Sequence, residues 1–137
     1  MHRSHPFIAL SIAAALCASL PARAQDRAQD DTRSRQEIAH LLDFVADSGC
    51  QFNRNGSWHD SKAARNHLQE KYDYLKHRKL VPDTKTFIER AATESSFSHK
   101  AYQVRCGNGQ TMTSAQWLNT ELARYRAAHP QSATHTP

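Results

Sequence analysis

The amino-acid sequence predicts an α+β domain in which about four helices pack on a small antiparallel sheet that one disulfide closes. Apolar residues recur at helical spacing in four segments, and short alternating segments beside turn residues are typical of strands. The chain of 137 residues is long enough for one domain, and 39% of its residues are hydrophobic. This length excludes a multi-domain enzyme, a long repeat array and a polytopic membrane protein.

The first 24 residues have the pattern of a secretory signal peptide. Arg3 gives a positive start, residues 7–20 are uncharged and mostly apolar, and residues 22–24 have the A-x-A form of a cleavage site. The apolar segment is too short to span a bilayer, which needs about 20 helical residues. We therefore expect a periplasmic protein that is cleaved after Ala24 and whose mature chain does not insert into a membrane.

The mature chain is expected to fold over residues 34–128. Residues 25–33 and 129–137 are polar and lack apolar periodicity, which predicts a disordered leader and a disordered tail. Cleavage removes Arg3 and Arg23, so the formal net charge falls from +5 to +3. A mild positive charge does not by itself indicate nucleic-acid binding, and no specific nucleic-acid partner is predicted.

Two cysteines, Cys50 and Cys106, remain after cleavage. A pair of cysteines in a small exported domain predicts a disulfide, the alternative being two buried thiols. In the chain-entropy model this disulfide would stabilise the fold by about 4 kcal/mol.

The first two helices and the strand between them follow from capping and spacing. Ser34 and Glu37 have the spacing of a capping box, so the first helix is predicted to begin at Ser34 and to end at Gly49. Residues 50–54 alternate like a strand, and an Asn-Gly turn follows. A second helix is predicted from Asp60 or Ser61 to Arg78. The apolar positions of the two helices are Ile38, Leu41, Leu42 and Val45, and Ala64, Leu68, Tyr72 and Leu75.

The second half of the chain is also predicted to contain two helices and short strands. A third helix is predicted to begin near Asp83 or Thr84, followed by a polar loop over residues 93–100. Residues 101–106 alternate like a strand and are expected to pair with residues 110–112 across a Gly-Asn-Gly turn. A capping box at Thr113 opens the last helix. The third helix is predicted to bury Phe87, Ile88, Ala91 and Ala92. The apolar positions of the last helix are Trp117, Leu118, Leu122 and Tyr125.

The order of these motifs resembles the YfeK-like family of small exported bacterial proteins, a domain of unknown function. The resemblance covers residues 38–122 and implies export and a compact domain, but no established activity. The sequence departs from the family at residues 99–102, where such proteins often have a Gly-Lys-Pro-Tyr-like turn. The motifs are Phe52-x-Arg54-Asn55-Gly56, Ala63-Ala64-x-x-His67-Leu68-x-x-Lys71, Thr86-Phe87-Ile88-x-x-Ala91-Ala92, Ser95-Ser96 and Lys100-x-Tyr102-x-Val104.

Two polar loops contain the candidate binding residues. The turn at Arg54 could hold a carboxylate or phosphate through a guanidinium and backbone amides; alternatively, it only reverses the chain and Arg54 pairs with a nearby acid. The loop over residues 95–102 brings together hydroxyls, an imidazole and an amine. The predicted binding residues are Arg54, Asn55, Trp58, His59, Ser95, Ser96, Lys100 and Tyr102.

The sequence predicts no catalytic residue, metal site or cofactor. Ser95 or Ser96 with His67 or His99 as base would make a small hydrolase, but no G-x-S-x-G or S-x-x-K motif accompanies them. His67 and His77 would lie about 15 Å apart along one helix, too far to share an ion.

These observations predict a non-enzymatic binding module that recognises a protein or an anionic envelope component through the two polar loops. The alternatives are a small hydrolase that uses the serine and histidine loop, an inhibitor or immunity-type protein, and a structural envelope protein that associates with itself.

Overall fold

The predicted α+β class is confirmed: four α-helices pack against a four-stranded antiparallel sheet in the computed structural model, which describes residues 21–131. Most of the predicted signal peptide and the end of the predicted tail lie outside the described residues. In chain order the elements are α1 (Ala22–Asp47), β1 (Gln51–Arg54), β2 (Ser57–His59), α2 (Ser61–His77), α3 (Thr84–Phe87), a π-helical segment (Ile88–Ala92), β3 (Gln103–Arg105), β4 (Met112–Thr113) and α4 (Ser114–Ala128).

Helix α1 begins at Ala22, twelve positions before the predicted start at Ser34, so the predicted disordered leader is helical. Residues 22–33 contain neither glycine nor proline, and alanine, glutamine and arginine favour helix. Every residue from Ala22 to Thr32 is exposed. Residues 22–32 therefore extend α1 beyond the part that packs against the domain, and they bury no side chain.

Removing residues 1–30 should change the free energy of unfolding by no more than about 0.5 kcal/mol, because the deleted helical residues bury no side chain. Urea titration of the shortened and full chains measures the difference. A loss above about 1 kcal/mol would show that the extension stabilises the domain.

The sheet has the strand order β2-β1-β3-β4 and is tied across its centre by the predicted disulfide. Gln51 lies opposite Arg105, so Cys50 and Cys106 follow in register one position beyond each strand. Phe52 and Val104 pair across the same strands and are both buried against the helices. The disulfide therefore continues the ladder between β1 and β3.

Strand β2 was not predicted. Asn55 and Gly56 both have positive φ, of 54° and 85°, and form a two-residue hairpin turn. Such a turn directs the following residues back along β1, so Ser57 pairs with Arg54 and His59 pairs with Phe52. Side chains alternate in a strand, so Arg54 and His59 lie on the same face of the sheet as Phe52, toward the helices.

The predicted cap of α4 is confirmed, and α2, whose start was predicted at Asp60 or Ser61, has a cap of the same kind. The Asp60 carboxylate accepts a hydrogen bond from the amide of Ala63 at 2.7 Å. The Thr113 hydroxyl accepts one from the amide of Gln116 at 3.2 Å. Helix α3 begins after Asp83, as predicted, and then widens into the π-helical segment, which the sequence did not indicate.

Glu37 does not form the predicted capping box with Ser34, since both residues lie inside α1. Its side chain is only 1% exposed. Arg126 of α4 donates two hydrogen bonds of 2.8 Å to its carboxylate, Thr84 donates one of 2.6 Å and Arg33 one of 2.9 Å. Glu37 thus joins the first helix to the start of α3 and the end of α4.

A second polar contact between α1 and α4 lies beside the first. His40 is 2.6 Å from the Glu121 carboxylate, which Arg124 also contacts at 2.8 Å. The core lies between these helices and the sheet and is formed by Ile38, Leu41, Leu42, Val45, Cys50, Phe52, Leu68, Phe87, Ile88, Ala91, Ala92, Val104, Leu118 and Leu122. Over residues 21–131, no helix combines the length and apolar character needed to cross a membrane.

Candidate functional site

A cleft lies between the β1–β2 hairpin and the first half of α2. It encloses about 490 Å³ of non-protein space, part of which is open to solvent. Tyr102 and the start of α4 close its inner end. The cleft is lined by Phe52, Asn53, Arg54, His59, Ala63, Ala64, His67, Leu68, Ala92, Tyr102, Ser114 and Leu118.

Three lining residues, Arg54, His59 and His67, carry or can carry positive charge, and no carboxylate is among the lining residues. Arg54 makes no ion pair and no side-chain hydrogen bond with the residues that the structure describes. The guanidinium therefore keeps its donors for another group, which contradicts the alternative that Arg54 pairs with a nearby acid.

His67, Tyr102 and Lys71 form a connected polar group at the inner wall. The Tyr102 hydroxyl is 3.1 Å from Nε2 of His67 and accepts a hydrogen bond of 3.4 Å from Nζ of Lys71. Lys71 also donates to the backbone carbonyl of Glu94 at 3.1 Å, and its ammonium lies 5.1 Å from the centre of the Tyr102 ring. These contacts hold the phenol in place at the inner end of the cleft.

The electrostatics of this group are dominated by burial and positive charge. Burial lowers the pKa of His67, and the positive charges of Arg54 and Lys71 lower it further. Burial also lowers the pKa of Lys71. The negative charge of Glu94 opposes this shift, and the positive charge of Arg54 adds to it. Burial raises the pKa of the Tyr102 phenol. The cleft is therefore a place where positive charges repel one another and where an anion would be stabilised.

Ser114 supplies an unpartnered hydroxyl at the inner end of the cleft. It is the first residue of α4, and its amide donates to the Tyr102 carbonyl at 2.9 Å. The residue is 5% exposed, yet its Oγ has no hydrogen-bond partner among the described residues. Buried hydroxyls are nearly always hydrogen-bonded, so the missing partner of this one would be explained if a bound group supplied it.

Three of the eight predicted binding residues, Arg54, His59 and Tyr102, line the cleft. Trp58 does not, because alternation places it on the opposite face of β2, where the Arg105 guanidinium stacks 4.2 Å from its ring centre.

The remaining predicted residues belong to the turns beside the cleft. The Asn55 side-chain carbonyl accepts a hydrogen bond from the Ser98 hydroxyl, so the two predicted loops do meet. Ser95 is buried, and its hydroxyl accepts bonds from the amides of Phe97 and Ser98, which makes it a turn residue. Ser96 and Lys100 are exposed and do not line the cleft.

The serine and histidine loop does not assemble the arrangement that a hydrolase requires. His99 lies 3.1 Å from the Glu94 carboxylate, and His67 bonds to Tyr102. Among the described side chains, neither the Ser95 nor the Ser96 hydroxyl bonds to the imidazole of His67 or His99, so no base is positioned to activate a serine there. No group of three possible metal ligands occurs within residues 21–131.

Sequence reasoning missed Lys71 and Ser114 as members of the site. Ala63, His67 and Lys71 are spaced by four residues and so share one face of a helix, which is a signal that could have placed the lysine. Ser114 follows the capping residue Thr113, and only the tertiary structure brings its hydroxyl to the cleft.

Comparison with known proteins yields one match. A protein family described as a family of unknown function (DUF5329) matches residues 32–126, which include every lining residue of the cleft. No curated protein and no solved structure matches the chain. The predicted membership of a family of unknown function is thus supported, without the YfeK-like name. The chain belongs to the DUF5329 family.

Proposed function

We propose that the protein is a non-enzymatic binding module that holds an anionic group in the cleft. The observation that carries this proposal is the Arg54 guanidinium, which lines the cleft without an acidic partner among the described residues. Guanidinium groups bind carboxylates and phosphates through two parallel hydrogen bonds. An anion there would also offset the repulsion between the charges of Arg54 and Lys71.

The proposal includes a pH dependence. His67 faces Arg54 of β1, His59 of β2, Tyr102 before β3 and the charges of Lys71 and Glu70 on its own helix. Because burial and these cations lower the pKa of His67 below its ordinary 6.5, the ring is neutral at pH 7. Protonation at lower pH adds a positive charge to the cleft, so anion binding should strengthen as the pH falls through that pKa.

Arg54→Gln should weaken the binding of acetate at least tenfold, because a carboxylate in the cleft loses its charged, two-point partner. The measurement is an NMR titration of the His67 ring signals with acetate, using potassium chloride at matched ionic strength as the reference. Arg90→Gln is the matched control, since Arg90 is exposed, lies outside the cleft and removes the same charge. Equal acetate affinity in both variants would refute the proposed site.

We further propose that the anionic group belongs to the cell envelope and that the chain acts in the periplasm of a bacterium. This rests on the signal-peptide pattern of residues 1–24 and on the likeness to YfeK-like proteins. Cell fractionation followed by mass determination tests it. A periplasmic form that begins at Gln25 is expected, whereas an uncleaved cytoplasmic chain would contradict it.

A further inference from the structure

The cleft has two chemically different parts. Half of the lining residues are apolar: Phe52, Ala63, Ala64, Leu68, Ala92 and Leu118. The others supply hydrogen-bonding groups, including Arg54, Tyr102 and the free hydroxyl of Ser114. A small inorganic anion would use only the polar part and leave the apolar walls in contact with water.

We infer that the ligand is a carboxylate carried on a short apolar body, with its acid group held by Arg54 and Ser114 and its body against Leu68, Ala92 and Leu118. This inference rests on the proposed anion-binding function and specifies the chemical class of the ligand.

The donor set favours a carboxylate over a phosphate. Arg54 offers a planar pair of donors that matches a planar carboxylate, and the Ser114 hydroxyl supplies a further donor. Lys71, the other strong cation nearby, already donates to the Glu94 carbonyl and to Tyr102. One free guanidinium beside an apolar wall suits a single negative charge better than the doubly charged, three-oxygen terminus of a phosphate.

Ser114 gives the second, independent indication of a ligand. Its hydroxyl is buried, faces no described partner and stands at the first position of a fifteen-residue helix. An oxygen of the ligand would satisfy it. The side chain is otherwise unexplained, because Thr113 already caps α4.

The test is a calorimetric and NMR titration of the full chain with straight-chain carboxylates from acetate to octanoate, with octanamide as the uncharged probe. Each added methylene should strengthen binding about fourfold until the cleft is filled. Octanamide should bind at least tenfold more weakly than octanoate. Ser114→Ala should weaken octanoate binding about fivefold, while Ser57→Ala, on the exposed strand β2, should not change it.

A variant that fills part of the cleft distinguishes the contribution of the ligand's apolar body from that of its charge. Ala63→Leu places a larger side chain in the cleft at an exposed helical position, so it should weaken octanoate binding and leave acetate binding unchanged. Ala39→Leu, at an exposed position of α1 outside the cleft, is its control. Circular dichroism melts verify that each variant folds.

The outcomes distinguish the two proposals. If acetate and octanoate bind with equal affinity and both depend on Arg54, the anion site is supported, and the inference that the ligand has an apolar body is wrong. If octanamide binds as tightly as octanoate, the inference that the ligand is a carboxylate is wrong. If no carboxylate binds in a way that depends on Arg54, the proposed function fails as well.

N-acetyl-alanyl-leucine distinguishes two sources of the same chemistry. Tighter binding of this probe than of hexanoate assigns the acid group to a peptide terminus, and weaker binding to a free organic acid.

Discussion

Replacing Cys50 and Cys106 with alanine should lower the free energy of unfolding by about 4 kcal/mol in the chain-entropy model, the largest single effect expected for this protein. The disulfide joins residues 56 positions apart and lies in register beside the central strands β1 and β3. Without it, the unfolded chain regains the freedom of the whole segment that contains α2, α3 and most residues that line the cleft. Urea titration of the double variant measures the loss.

One comparison makes this result specific. Unfolding of the unmodified protein in the presence of dithiothreitol should show a similar loss, because reduction opens the same cross-link while both cysteine side chains remain. A loss below about 1 kcal/mol in the double variant would show that the helices and sheet hold their arrangement without the covalent bond.

Replacing Glu37 with alanine should lower the free energy of unfolding by about 3 kcal/mol. The substitution deprives the buried Thr84 hydroxyl of its acceptor and leaves Arg126 and Arg33 without the charge that they share. Removing one member of a buried ion pair costs about 3–5 kcal/mol, and the partial exposure of both arginines places the value at the lower end. Glu70→Ala, on the exposed face of α2, is the matched control and should change stability by less than about 0.5 kcal/mol.

The Glu37 contribution should also disappear in acid. Burial raises the pKa of Glu37, but the hydrogen bonds from Arg126, Thr84 and Arg33 outweigh it and lower the pKa to about 2. The unfolded chain binds a proton near pH 4.5, so the stabilisation is complete above that pH and is lost as the pH falls toward 2. The difference between the unmodified protein and Glu37→Gln, measured by urea titration from pH 7 to pH 2, should therefore shrink over that interval. A constant difference would contradict this account.

The elements that could be predicted from the sequence are those fixed by nearby residues. Asp60 and Thr113 begin helices because each side chain accepts an amide proton three residues later, a contact that the sequence spacing already contains. Cys50 and Cys106 could be paired because only two cysteines remain after the predicted cleavage. The apolar stripe of α1 likewise places its face toward the core.

What could not be predicted depends on contacts between distant parts of the chain. The spacing of Ser34 and Glu37 fits a local cap, but both residues lie inside the longer helix α1. Glu37 instead pairs with Arg126, which lies 89 residues away in the sequence. Strand β2 is only three residues long and becomes a strand by pairing with β1 across the turn. In the candidate site, alternation in β1 and β2 decides that Arg54 enters the cleft while Trp58 faces away. That outcome requires knowing which residues pair.

The disulfide also determines how the protein responds to tension. A force applied to the two ends of the chain passes from α1 through Cys50 directly to Cys106 and on to α4, so the segment between the cysteines bears no load. At about 3.4 Å per residue, this closed segment withholds about 190 Å of contour length. Helices α1 and α4 and the short strand β4 can be stripped from the domain while β1, β2, β3 and α2 stay enclosed. The length to which the chain can be stretched therefore depends on whether the Cys50–Cys106 disulfide is intact or reduced.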